Sequence, residues 1–277
     1  MIARIGVLAV LVAATSVFAA DKPRVRVKSS VDGIRFFVDG RHFTTYNLNR
    51  DGKLPKPFMF PVRGPDGTIL TRKILKSRKN GDHVHHKGIW VAVDEVNHVR
   101  FWAEKGKIVT RRELSGAGSG NEASVTVTND WKADDGTTVV TEKTTITVTP
   151  NRVIAYDISF KAGEKPVTFR DTKEGLFGFR MVHSMRESEG GQVVNSRGEK
   201  GTKNCWGKTA DWIDYYGKVN GKTYGVAIFD HPKNFRKSRY HVRNYGLFSI
   251  NPFGQKAYTR GKKSAQPYTI KPGGTLR

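Results

Sequence analysis

Histidine is scarce in this 277-residue chain, eight in all, yet three fall within four positions. They are His83, His85 and His86 in the run Gly81-Asp82-His83-Val84-His85-His86-Lys87-Gly88-Ile89-Trp90. In extended backbone, side chains alternate between faces. His83 and His85 would then project together, about 7 Å apart, and His86 would point the other way. Two imidazoles so placed can share a divalent metal ion, or one can carry a proton while the other orients a substrate. His83 and His85 are therefore the candidates for catalysis and for metal ligation, and His86 for substrate contact. The plainer alternative is a structural hydrogen bonder flanked by loop residues.

Three further segments concentrate polar, aromatic and glycine residues. In the first, Phe169-Arg170-Asp171-Thr172-Lys173-Glu174-Gly175-Leu176-Phe177-Gly178-Phe179-Arg180, Glu174 has the chemistry of a general base or a metal carboxylate. Arg180 suits an anionic or hydroxylated group. A buried ion-pair network that pins a loop would use the same residues. In the second, Trp206 and Trp212 offer flat faces of the kind that stack on sugar rings, with Asp214 as a hydroxyl partner, although burial is the commoner fate of tryptophan. In the third, His231, His241 and Asn251 stand near expected strand ends, where a β-sandwich presents its binding loops. They complete the candidate substrate-binding set. Asn251-Pro252 also reads as ordinary turn chemistry. The chain carries no Gly-x-Ser-x-Gly elbow, His-Glu-x-x-His, phosphate-cradling loop or dinucleotide fingerprint.

Strands must position these residues. Ile34-Arg35-Phe36-Phe37-Val38, Ser124-Val125-Thr126-Val127-Thr128, Thr144-Thr145-Ile146-Thr147-Val148-Thr149 and residues 153–160 alternate with a period of two. Asp-Gly and Asn-Gly pairs at 32–33, 51–52, 66–67, 135–136 and 220–221 punctuate them. No window of about fifteen residues has an apolar helical period, so helices should be few and short. The fold class expected is all-β, a large antiparallel β-sandwich, in its largest form a two-sheet supersandwich of the mutarotase kind. Residues 114–122 read as a flexible hairpin and 184–203 as a long loop. Gly274-Thr275-Leu276-Arg277 stands where another strand would begin, which leaves a C-terminal strand missing.

The first residues resemble an export signal. Arg4 precedes an uncharged stretch over 5–20, and Val17-Phe18-Ala19 places small residues at the cleavage positions. That stretch is shorter than the roughly 20 residues needed to span a bilayer. The expectation is a signal peptide over 1–19, one β-sandwich domain over 20–277, and a secreted or periplasmic protein without membrane insertion. Cys205 is the one cysteine, so no intramolecular disulfide forms, and its thiol reads as a buried filler. The net charge of +23 favours anionic partners such as an acidic polysaccharide. No nucleic-acid motif accompanies it, and a solvated basic face would look the same. Basic clusters stand at Arg24-Val25-Arg26-Val27-Lys28, over 72–79, over 236–243 and at Lys262-Lys263.

Seven segments in order carry a family resemblance: Pro61-Val62-Arg63-Gly64-Pro65-Asp66-Gly67, residues 82–90, Asp94-Glu95-Val96-Asn97 with Phe101-Trp102-Ala103-Glu104, 171–180, 206–217, 230–234 and 245–254. Over roughly residues 35–275 the chain resembles a secreted bacterial family labelled "methane oxygenase PmoA", common in planctomycete-type bacteria and otherwise a domain of unknown function. The resemblance supplies no catalytic residues. It implies no methane monooxygenase activity either, since no apolar span follows the leader. Members usually carry His-Pro-His-His where this chain has His83-Val84-His85-His86, and a Trp before the histidine of Tyr240-His241-Val242 that is absent here. Two functions are expected. One is a carbohydrate-active enzyme using acid–base or metal-assisted chemistry on a glycan or sugar derivative. The other is a non-catalytic extracellular module that binds acidic polysaccharide.

Overall fold

The computed structural model describes residues 24–77, 82–115 and 118–277. The leader expected over 1–19, the end of the basic run at 78–79, Gly81 and residues 116–117 of the expected hairpin lie outside the described residues.

The strands are short and turn-separated, as the period-two segments require. The first five are β1 (Val25–Ser29), β2 (Gly33–Val38), β3 (Arg41–Asn47), β4 (Phe58–Val62) and β5 (Ile89–Val91). Then come β6 (Lys107–Ser115), β7 (Ser119–Gly120), β8 (Ala123–Lys132), β9 (Thr138–Val148), β10 (Ile154–Lys161), β11 (Val167–Phe169) and β12 (Phe177–Arg180). β13 (Gln192–Asn195), β14 (Trp212–Val219), β15 (Lys222–Phe229), β16 (Arg239–Val242), β17 (Leu247–Asn251), β18 (Tyr268–Ile270) and β19 (Thr275–Leu276) follow. Among the described residues the α-helices are α1 (Thr202–Cys205) and α2 (Gln255–Tyr258), each a single turn.

A nine-stranded antiparallel sheet runs β16-β17-β12-β5-β4-β3-β2-β1-β7, and a five-stranded one runs β19-β10-β9-β8-β6. A three-stranded sheet, β13-β14-β15, and the pair β11-β18 complete the architecture. The molecule is an all-β sandwich. Alternation explains the layering: Ile34, Phe36 and Val38 of β2 share one apolar cluster with Val125 and Val127 of β8 and Ile146 and Val148 of β9. Ile213 and Tyr215 of β14 join the same cluster beside Tyr240, Val242 and Phe248. A second cluster gathers Trp90, Trp102, Trp131, Phe160, Phe169 and Phe253.

Between the sheets Glu142 is buried, and its carboxylate accepts from Trp131 Nε1 at 2.8 Å, Asn129 Nδ2 at 3.1 Å and the Thr144 hydroxyl at 2.6 Å. Burial raises its pKa, and the three donors offset part of the desolvation cost. This is a structural carboxyl.

One expectation changes. Residues 184–203 are not one long loop, because β13 forms inside them and pairs with β14. Residues 275–276 form β19 and pair with β10 (Phe160 opposite Leu276). Cys205 is buried, with burial pushing its thiol up to about 11, as befits a filler. Among the described residues no helix is long and apolar enough to cross a membrane.

Candidate functional site

The site is built on one row of the nine-stranded sheet. His241 of β16 pairs with Ser249 of β17, Ser249 with Gly178 of β12, and Gly178 with Trp90 of β5. Directly opposed residues share a face, so one sheet surface carries a histidine at one end and an indole at the other. Glycine is required at 178, because a β-carbon there would stand 2.7 Å from the Trp90 ring. Trp90 lies over the vacancy, and the histidine segment is laid on top of it.

That segment is a turn rather than a strand. The His86 amide donates to the His83 carbonyl, which brings residues three apart together. The three rings consequently converge instead of alternating between faces. His83 stacks on His86 at 4.6 Å between centroids, His85 meets His86 edge-on at 4.5 Å, and His86 stacks on Trp90 at 5.2 Å. The expected opposite orientation of His86 is therefore wrong. Hydrogen bonding from Arg72 to the His83 and His86 carbonyls, at 2.8 and 2.7 Å, holds the turn closed.

Asp82 is the electrostatic centre. Its carboxylate lies 2.6 Å from Arg72 Nη1 and 2.8 Å from Arg180 Nη2, and it accepts the His83 amide at 2.7 Å. Burial alone would raise this carboxyl, but Arg180, the His83 amide and Arg72 outweigh it and hold it down at about 2. Arg180 is 1% exposed and also lies 3.2 Å from His86 Nδ1. The guanidinium expected to bind substrate instead positions Asp82 and His86. His86 is likewise buried, its pKa pushed well below the ordinary value by burial and the neighbouring charge of His85. His83 differs: its side chain is 41% exposed, and its opposite face stacks on Tyr245 at 5.1 Å. Burial, with Arg180, lowers its pKa and favours the neutral ring.

Glu174 enters from a loop in which three successive carbonyls, those of Thr172, Lys173 and Glu174, are held. Asn251 Nδ2 donates to the Thr172 carbonyl at 2.8 Å. His241 Nδ1, at 3.0 Å, and the Tyr258 hydroxyl both donate to the Lys173 carbonyl. The Asp94 amide donates to the Glu174 carbonyl at 2.9 Å. So fixed, the Glu174 carboxyl lies 3.5 Å from His241 Nδ1. Burial raises its pKa, opposed by Lys173 and assisted by Asp94. His241 is buried and its pKa falls to about 4, chiefly through burial. Tyr245, stacked on His83, also feels the Glu174 carboxylate, and His241 feels His83. Histidine turn and acid loop thus share one electrostatic neighbourhood.

The remaining expected residues divide. Trp206 belongs to this region, its ring edge-on to His241 at 6.1 Å and to Tyr258 at 5.3 Å. Asn251 is fully buried, and its Oδ1 accepts the Phe253 amide, so it positions the acid loop and touches no substrate. His231 is exposed, its Nδ1 accepting the Lys233 amide in its own turn, with Asp157 as an electrostatic neighbour. Trp212 and Asp214 lie in β14, Trp212 opposite the 69%-exposed Phe229 and Asp214 opposite Ala227. Burial raises the Asp214 carboxyl. These three residues stand on other elements than the histidine turn, His231 just after β15 and Trp212 and Asp214 in the three-stranded sheet. For a metal ion, no group of three or more His, Cys, Asp or Glu side chains among the described residues is placed to hold one, so the His83–His85 pair has no assembled third ligand.

Sequence reading missed Asp82, Arg72 and Tyr245 as site residues, although Asp82 directly precedes the first histidine. It also missed Lys56, fully buried and 2.6 Å from Glu104, with Lys87 3.6 Å from the same carboxylate. Burial lowers Lys56 to about 8 despite Glu104. A lysine between two prolines gives no hint of burial, since lysine is normally exposed.

No curated protein matches the chain. A family model does match over residues 33–277, spanning every residue of the histidine turn and the acid loop, and the chain belongs to that family, a family of unknown function designated DUF6807.

Proposed function

We propose that this is a secreted, carbohydrate-active protein that performs acid–base chemistry on a glycan or sugar derivative between the histidine turn and the acid loop. The observation that carries this reading is the pairing of opposite pKa shifts in one neighbourhood. The accessible imidazole of His83 is held neutral, and the Glu174 carboxyl is pushed toward its protonated form. These shifts bring the two proton affinities toward each other, so that the imidazole is free to take up a proton while the carboxyl is able to give one. His83 withdraws a proton from a sugar hydroxyl or an attacking water, and Glu174 returns one to the departing oxygen. His85, beside both other imidazoles, orients the substrate. Asp82, Arg180, His86 and Asn251 position these groups.

Secretion rests on the leader read over 1–19, and the N-terminal residue of exported protein tests it. The "methane oxygenase PmoA" label of the similar bacterial family is taken as a name and not as an activity. Turnover of a panel of glycans and keto-sugars by wild type, His85→Ala and Glu174→Gln tests the chemistry. Equal turnover by all three would end the reading. A non-catalytic module for acidic polysaccharide is the second reading, favoured by the net charge of +23. It requires binding of the polysaccharide with no turnover by wild type.

A further inference from the structure

Next to His241 the surface opens into a cavity of about 280 Å3 lined by Thr202, Lys203, Trp206, Val242, Arg243, Asn244 and Arg260. Three separate elements bring cations to it. Lys203 stands in α1, Arg243 in the turn between β16 and β17, and Arg260 just beyond α2. Among the described residues no carboxylate lines the cavity. Glu187, the acid bonded to lining residue Thr202, accepts from both its amide and its hydroxyl.

Unpaired cations are common in a chain with 48 lysines and arginines against 25 acids. Their convergence on one concavity is not. Elsewhere several exposed acids are each spent on a single cation, as in Arg24–Asp39, Lys53–Asp51 and Lys237–Asp211. Among the described residues none of the side chains of Lys203, Arg243 and Arg260 makes a hydrogen bond or ion pair. Arg260 is held by an aromatic face instead, its guanidinium 6.0 Å over Trp206, and Arg243 lies 5.7 Å over Tyr245, the ring stacked on His83. Stacking fixes a guanidinium in place while leaving its charge and its N–H donors free for an oxyanion. Three like charges around one hollow repel each other, and an anion would relieve them all. The volume is near the lower end of ligand pockets, roughly 300 Å3, which suits one group and not a long chain.

We infer that this cavity seats the anionic substituent, carboxylate or sulfate, of a sugar whose reacting part lies at the histidine turn. This makes the substrate an acidic glycan. The inference rests on the acid–base reading for the chemistry, and on the cavity alone for the charge.

Affinity for a galacturonate trisaccharide, a sulfated galactose trisaccharide and neutral galactotriose, at fixed salt, tests it. The proteins are wild type, an Arg243→Gln/Arg260→Gln pair, and an Arg26→Gln/Arg35→Gln pair that removes the same charge from exposed strand positions. Wild type should prefer one or both acidic sugars over the neutral one by at least roughly tenfold. The cavity pair should abolish that preference and the β1–β2 pair should keep it. Preference for the uronate or for the sulfate names the anion. Equal weakening by both pairs, or no acidic preference in wild type, overturns the inference. The two readings fail separately. Turnover of neutral galactotriose that needs His85 and ignores the cavity pair removes the cavity and leaves the chemistry. Acidic-sugar binding lost only in the cavity pair, with no turnover by any protein, removes the chemistry and leaves the cavity.

Discussion

His83 and His86 stack face to face with their planes 3° from parallel, yet one ring is open to solvent and the other is buried. The pair separates two roles that the sequence leaves merged. His86 is enclosed by Trp90, His83 and Arg180, so His86→Ala leaves a cavity and strips Arg180 of a partner. A loss of roughly 2–4 kcal/mol is expected in urea unfolding. His83→Ala removes an accessible ring and should cost under about 1 kcal/mol, while lowering turnover by about 10²- to 10⁴-fold. Equal destabilisation by both variants would make His83 structural as well.

Asp82 compensates two guanidiniums that are themselves buried, Arg72 and Arg180. Asp82→Asn keeps the shape and removes the charge, leaving both cations without a counter-ion. The expected loss is about 3–5 kcal/mol. The native carboxyl is held below its unfolded value, so its stabilisation is complete above about pH 4 and is lost as pH falls toward about 2. The variant should lack that acid limb. Unfolding free energies measured between pH 5 and 2, with both pH limits taken as approximate, decide the matter.

The fold was more legible than the site for physical reasons. Period-two alternation marks β8 and β9 directly, because each buries one face. The residues around His83 carry no such period. Their convergence depends on a turn that reverses the side-chain order and on Gly178, which makes room for Trp90 from the neighbouring strand. Glu174 and His241 were singled out by residue type and do meet, through a loop pinned by Asn251. Asn251 itself was read as a substrate ligand because buried positioning amides and exposed binding amides look identical in sequence. His231 and Trp212 share the composition of the site residues but sit on other elements, and composition holds no information about strand order.

Buried His241 faces Lys173, Arg243, Glu174 and His83. Its native pKa of about 4 lies below the unfolded value of 6.5, so the unfolded chain takes up the proton first. Its contribution is therefore undiminished above pH 6.5 and declines as pH falls to about 4, by about 3 kcal/mol in all. His241→Gln can still donate to the Lys173 carbonyl but does not titrate. Between those two pH values its stability curve should be shallower than wild type by about 1.4 kcal/mol per pH unit. Parallel curves would mean that His241 is protonated in the native protein.

Gly178→Ala tests the foundation of the site without touching a titrating group. The new methyl would come within 2.7–2.9 Å of three atoms of the Trp90 ring, which must then lift away from β12. Overpacking of this kind costs about 1–3 kcal/mol. The displacement should pass to His86, which stacks on Trp90, and from there to His83. The expected result is a moderate loss of stability with a disproportionate loss of turnover and an altered tryptophan fluorescence. Full turnover in a destabilised Gly178→Ala protein would mean that the histidine turn keeps its geometry independently of Trp90, and that the sheet row does not position it.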